Sequence, residues 1–141
     1  ERRNNSQKQV LSDKIIKTKE QWLQQLTPEQ YAICREKGTE RPFTGKYNST
    51  NTAGTYVCVC CGEELFGSDA KFNSSCGWPS FTKTAPGDTV EAHEDHTLGM
   101  WRTEVTCKRC DSHLGHVFND GPAPTDLRYC INSVSIKLLE E

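Results

Sequence analysis

The chain has 141 residues, of which 34% are apolar and 26% charged, with a net charge of −2. That length makes one domain, able to bury about two-thirds of its unfolded surface, so a core does not require disulfides. No apolar run nears the ~18 residues of a membrane-spanning helix, and the weakly acidic balance argues against a general polyanion binder, which needs a basic surface.

Charge is uneven along the chain. Residues 1–19 carry a net +4 and the remainder −6. Residues 1–17 are polar and poor in aromatics, which predicts a frayed tail before a single domain over 18–141. The tail reads as a solvated segment or as what is left of an organelle-targeting peptide. No apolar h-region follows Glu1–Asn5, so no signal peptide is expected. The lack of an initiating Met suggests a fragment or a processed form.

Two short helices are predicted next. Thr18 with Gln21 and Thr27 with Gln30 each make a capping box, and Pro28 suits a first helical position. Trp22, Leu23 and Leu26 form the apolar side of the first helix, Tyr31 and Cys34 share a side of the second, and Gly38 is a helix stop. From Arg41 onward Gly, Pro, Asn and Asp recur between short β-type runs at Gly54–Cys58, Gly99–Thr106, Leu114–Phe118 and Tyr129–Leu139. This pattern predicts a mainly β domain of antiparallel strands with small helices attached, without βαβ alternation.

Eight cysteines are unusual for such a chain. Cys58–Cys61 and Cys107–Cys110 are two C-x-x-C knuckles with forty-five residues between them. Brought together, they make a closed tetrahedral site of four cysteines, the geometry of structural zinc. Iron in the same cage and plain reduced core cysteines are the other readings. Cys60 lies outside the knuckle register. A closed four-cysteine site has no open coordination position, so chemistry must come from elsewhere.

Strand periodicity over Arg128–Leu138 puts Arg128, Cys130, Asn132, Val134, Ile136 and Leu138 on one face. A guanidinium beside a thiol favours the nucleophilic thiolate. Against this, Cys130 could be an ordinary buried cysteine and Arg128 the partner of a surface acid. His113 and His116 follow the second knuckle, as catalytic or as merely supporting groups. Cys76 sits beside Trp78 in a turn-rich loop, either inert or able to reach Cys130. His93 and His96 read as solvated loop residues.

Several of these segments, in this order, resemble type B methionine sulfoxide reductases. They are Pro42-Phe-Thr-Gly-Lys-Tyr47, Tyr56-Val-Cys-Val-Cys-Cys-Gly62, Cys76-Gly-Trp-Pro-Ser-Phe81, Arg102-Thr-Glu-Val105, His113-Leu-Gly-His-Val-Phe118 and Arg128-Tyr-Cys-Ile-Asn-Ser133. The resemblance runs from about Lys19 to Leu139 and implies two packed antiparallel sheets with small N-terminal helices. It implies that Cys130 is the nucleophile, Cys76 the resolving thiol, and Cys58, Cys61, Cys107 and Cys110 the ligands of one structural zinc ion. Trp78, His113, His116, Arg128 and Asn132 match the active-site shell, while Cys34 and Cys60 match no role.

The implied reaction is reduction of the R epimer of methionine sulfoxide, free or in proteins, as repair of oxidative damage. Cys130 attacks the sulfoxide sulfur, His116 or His113 protonates its oxygen, and Trp78 packs the methyl group. A Cys130 sulfenic acid then condenses with Cys76, and thioredoxin reduces the disulfide. The protein is expected to be a monomer without nucleic-acid or membrane partners. Its expected location is the cytoplasm or an organelle such as the mitochondrion or plastid. Rival classes are a non-enzymatic zinc module, which leaves Cys76, Cys130 and the His pair unexplained, and an iron–thiolate electron carrier, which would be coloured.

Overall fold

The computed structural model describes residues 14–96 and 99–140. The expected tail over 1–17 thus falls mostly outside the described residues. Its last four residues run along the second knuckle, where the Ile15 amide donates to the Arg109 carbonyl at 2.6 Å and Lys14 pairs with Asp111 at 2.7 Å.

Helices α1 (Lys19–Gln25) and α2 (Pro28–Cys34) start where the capping boxes put them. In each, the threonine hydroxyl accepts from the glutamine amide, and the glutamine side chain accepts from the threonine amide. Four otherwise unpaired N–H groups are satisfied in this way, which is how seven-residue helices persist. Trp22 and Leu26 are buried as expected, but Leu23 is 46% exposed. It therefore belongs to the outer surface of α1, not to its core side.

The strands are β1 (Gly54–Cys58), β2 (Glu64–Gly67), β3 (Lys71–Phe72), β4 (Ser80–Phe81), β5 (Val90–Asp95), β6 (Arg102–Cys107), β7 (His113–Phe118), β8 (Arg128–Ile131) and β9 (Ile136–Glu140). They form two antiparallel sheets, a three-stranded one in the order β9-β1-β2 and a six-stranded one in the order β3-β4-β8-β7-β6-β5. The predicted mainly β, two-sheet architecture is the one observed. Aromatic rings fill the space between the sheets. Phe66 of β2 stacks on Phe81 of β4 at 4.5 Å, and Tyr56 of β1 meets Phe81 edge-on at 5.2 Å. All three rings are fully buried, each removing roughly 150–250 Å² from water.

Two local expectations change. The single strand expected over 128–138 is two strands in different sheets, joined by a 3-10 turn at Ser133–Ser135. Strand periodicity therefore stops at Asn132, and Val134 does not continue the face of Cys130. His93 belongs to strand β5, where its Nε2 lies 3.0 Å from the Thr106 hydroxyl, so it is not a loop residue.

Strands β7 and β8 approach closely at Gly115. A Cβ there would lie 2.1 Å from the Cys130 carbonyl oxygen, which belongs to backbone and cannot swing away. Gly115→Ala should therefore force β7 and β8 apart. The expected loss is at least the ~1–3 kcal/mol of ordinary overpacking, read as a lowered urea midpoint.

Candidate active site and metal centre

The six-stranded sheet carries a row of side chains across its strands. Ser80 of β4 pairs with Cys130 of β8, Cys130 with His116 of β7, and His116 with Glu104 of β6. Directly opposed residues in antiparallel strands share a face. Two residues along, Arg128 pairs with Phe118, and Asp95 of β5 with Arg102. This face opens into a cavity of about 280 Å³ lined by Cys76, Trp78, Arg102, His116, Arg128 and Cys130, with Thr39, Gly115, Phe118 and Asn132 completing its wall.

Cys76 arrives on the segment before β4, between two residues in the left-handed region, Ser75 at φ 62° and Gly77 at φ 98°. Its Sγ lies 2.9 Å from the Cys130 Sγ and 3.3 Å from the Ser80 hydroxyl. Each thiol's ionisation is set first by the other. Their contact holds Cys76 down, to about 4, and holds Cys130 up together with burial. The two ionisations are thus coupled through the contact between the thiols. Arg128 and Ser80 pull Cys130 the opposite way. The favourable Arg128 charge expected for Cys130 is therefore present but outweighed by Cys76 in this arrangement.

Arg128 itself is oriented by others. Its guanidinium forms a two-pronged bond to Asp120, at 2.8 and 3.1 Å, and lies 4.4 Å from the Phe118 ring centre. Asn132 is buried and ties backbone together. Its Oδ1 accepts from the Glu40 amide at 3.0 Å and its Nδ2 donates to the Leu114 carbonyl at 3.0 Å. The Trp78 indole N–H donates to the Glu40 carbonyl at 3.1 Å, which fixes the ring as a wall of the cavity.

The two histidines differ. His116 lines the cavity and its Nε2 lies 2.7 Å from the buried Asp95 carboxylate. His113 is 3% exposed, its Nδ1 is 2.7 Å from Glu104, and it is not part of the cavity wall. Burial lowers the proton affinity of His113, opposed by Glu104. Three residues apart on a strand, the two should point to opposite faces. The register shifts by one between Val105 and Thr106, leaving Leu114 as the extra residue, so both rings lie on one side, 5.6 Å apart. Asp95, Glu104, Arg102 and Lys37 complete this cluster and were not singled out in the sequence as site groups.

The metal centre lies where the knuckles meet. The Sγ atoms of Cys58, Cys61, Cys107 and Cys110 all lie within 4.8 Å of one another, with Cys58–Cys110 and Cys61–Cys107 at 3.6 Å. Tetrahedral thiolates on zinc at ~2.3 Å stand about 3.8 Å apart, so the four fit a metal ion. Both knuckles are built alike. In each, the first cysteine's carbonyl accepts from the residue four positions on, Gly62 or Asp111, at 2.8 Å. That residue is left-handed in both, at φ 82° and φ 62°. Cys60 and Cys34 are buried beside this centre, against the Ser112 and Ser135 hydroxyls at 3.7 Å, and neither lines the cavity of Cys130.

The SelR domain family model matches residues 26–140. The chain belongs to the SelR domain family. It is 60% identical over 126 residues to a Bradyrhizobium diazoefficiens protein named peptide methionine sulfoxide reductase MsrB, an alignment covering 89% of this chain and 91% of the relative. Relatives of the same name match at 58% over 125 residues in Acinetobacter baumannii (89% and 90% covered) and at 59% over 127 residues in Pseudomonas savastanoi pv. phaseolicola (90% and 97%). Among the described residues, no helix is long and apolar enough to cross a membrane.

Glu40 joins several of these parts and generates a pH prediction. Its Oε1 accepts from the Val134 amide, while Oε2 is buried without a hydrogen-bond partner. Burial holds its carboxyl above the usual range. A folded-state value above the unfolded one means the folded protein binds the proton more tightly, so stability falls as pH rises through that window. Glu40→Gln, which keeps the acceptor for Val134, should raise the thermal midpoint at neutral pH. The gain should vanish below the unfolded carboxyl value of ~4.3, as pH-dependent thermal melts would show.

Proposed function

We propose that the protein reduces the R epimer of methionine sulfoxide to methionine with Cys130 as nucleophile and Cys76 as resolving thiol. The observation that carries this reading is the pair of half-buried thiols 2.9 Å apart at a cavity walled by Trp78 and His116. The SelR family and the printed name of its relatives support the sulfoxide as substrate.

In this mechanism Cys76 moves aside when substrate enters, which removes the contact that keeps the proton on Cys130. Arg128 and Ser80 then favour the Cys130 thiolate. It attacks the sulfoxide sulfur while protonated His116 gives its proton to the oxygen. Nε2 of His116 is held by Asp95, so Nδ1 is the donating atom. Trp78 packs the substrate's methyl group against its apolar ring. The attack joins the Cys130 sulfur to the methionine sulfur; the hydroxyl then passes to the Cys130 sulfur as both the old S–O bond and this S–S bond break, so methionine leaves and Cys130 holds the oxygen as sulfenic acid. The sulfur of methionine has been reduced and that of Cys130 oxidised. The Cys76 thiolate displaces hydroxide, which leaves as water with one proton, and a Cys76–Cys130 disulfide forms. A dithiol donor of the thioredoxin kind restores both thiols by exchange. His116 is the better general acid of the two histidines, because His113 is committed to Glu104 and stands outside the cavity wall.

Zinc is the metal proposed for the four-cysteine centre. Bound by four thiolates it serves as a structural cross-link joining the end of β1 to the end of β6. Cys58, Cys61, Cys107 and Cys110 would hold it, and Cys107→Ser should lose metal and fold together, because metal and folding are coupled. Metal analysis of purified wild type and variant, with circular dichroism, checks this; full zinc in a folded variant refutes the site.

The function is tested with the two sulfoxide epimers and dithiothreitol. Reduction of the R epimer with little of the S is expected; equal rates on both, or none on R, overturn the reading. Cys130→Ser should remove reduction altogether. Cys76→Ser should still release one methionine per chain without reductant and accumulate a sulfenic acid trappable by dimedone, while turnover with thioredoxin collapses. Peptide mapping after one wild-type turnover should find Cys76 joined to Cys130; a disulfide to Cys34 or Cys60 would refute Cys76 as the resolver.

A further inference from the structure

We propose that Lys37 is a positioning residue that couples the two histidine–carboxylate pairs. Its Nζ lies 3.3 Å from Glu104 Oε1 and 3.6 Å from Asp95 Oδ1. The other oxygen of each carboxylate is 2.7 Å from a histidine, Glu104 Oε2 from His113 and Asp95 Oδ2 from His116. One ammonium group thus bridges both dyads from outside the sheet that carries them. The inference rests on the proposed role of His116 as acid for the sulfoxide oxygen.

The backbone at Lys37 supports this assignment independently. Just past α2 the Gly38 amide donates to the Ala32 carbonyl at 3.0 Å, closing a loop of seven residues in which the residue before Gly38 is left-handed. Glycine is the usual occupant of a left-handed position. Here Lys37 takes it, at φ 61°, with a glycine immediately after. The conformation is unfavourable for a residue with a Cβ, and it aims the Lys37 side chain back over β5 and β6 to the two carboxylates.

The charge arithmetic gives the effect a sign. His116 is surrounded by Asp95 on β5, Arg102 and Glu104 on β6, His113 on its own strand, Cys130 and Arg128 on β8, Cys76 on the loop before β4, and Lys37. Two carboxylates against two imidazoles would hold each imidazolium proton tightly, and a tightly held proton transfers poorly to a sulfoxide oxygen. The Lys37 ammonium offsets the field of both carboxylates. Its charge lowers the proton affinity of His113, alongside the larger effect of burial.

The test uses Lys37→Gly, Lys37→Met and Lys37→Arg in the zinc-loaded full chain. Lys37→Gly relieves the left-handed backbone while removing a partner of two buried carboxylates, and thermal melts check that each variant folds. Long-range proton–nitrogen NMR should find the His113 titration moved upward by roughly half to one pH unit in the Gly and Met variants, and restored in the Arg variant. An unchanged His113 titration in Lys37→Gly and Lys37→Met overturns the proposal, as does a shift that Lys37→Arg fails to restore. An upward shift in a protein that does not reduce the sulfoxide upholds Lys37 and removes the proposed function instead.

Discussion

The active face depends on the pairing of β7 with β8 through a residue that has no side chain. Gly115 lies against the Cys130 carbonyl so closely that a methyl group could not fit. That approach allows the ladder to continue and seats His116 directly opposite Cys130. Everything that acts at the cavity hangs on this register. Ser80 flanks the thiol on the other side through β4, and Glu104 flanks the histidine through β6. A slip of one residue would turn Cys130 into the aromatic core and Tyr129 out to the cavity.

The second constraint is electrostatic. Asp95 is 2% exposed and Glu104 8%, and carboxyl groups buried this far need hydrogen-bonding or charged partners. Lys37, Arg102, His113 and His116 are those partners. Such a network costs desolvation and returns geometry, because each carboxylate is held from two sides and each imidazole is fixed by one ring nitrogen. A ring held in this way can move a proton at its other nitrogen without reorienting. The network draws on α2's end and on β5, β6 and β7, so the small N-terminal helices contribute to the site as well as covering the core.

Much of this was legible in the sequence, for definite reasons. Capping boxes are local chemistry, so Thr18 and Thr27 marked the helix starts. The knuckles are local too, and their shared left-handed turn at Gly62 and Asp111 is the same four-residue device used twice. Cys130, His116, Trp78 and Cys76 came from motifs. What periodicity could not see were departures from it. The extra residue at Leu114 puts His113 and His116 on one side, and the turn at Ser133–Ser135 carries the chain from one sheet to the other. Both are irregularities in otherwise regular strands. Asp95, Glu104 and Lys37 were missed because charged residues in a polar sequence look solvated until the fold buries two of them.

The eight cysteines show how one side chain is sorted by surroundings. Cys58, Cys61, Cys107 and Cys110 converge on one point, and thiolates gathered on a structural metal have neither a free electron pair to spare nor an open face. Cys34 and Cys60 are almost fully buried beside hydroxyls, where neither substrate nor a reducing protein can approach. Only Cys76 and Cys130 combine partial exposure, a cavity and a second thiol within reach. In the proposed mechanism their mutual contact also orders the events. While Cys76 rests against Cys130, that contact opposes ionisation of the proposed nucleophile. A substrate that displaces Cys76 removes that restraint and brings an electrophilic sulfur to the same place, so Cys130 gains its charge when there is something to attack.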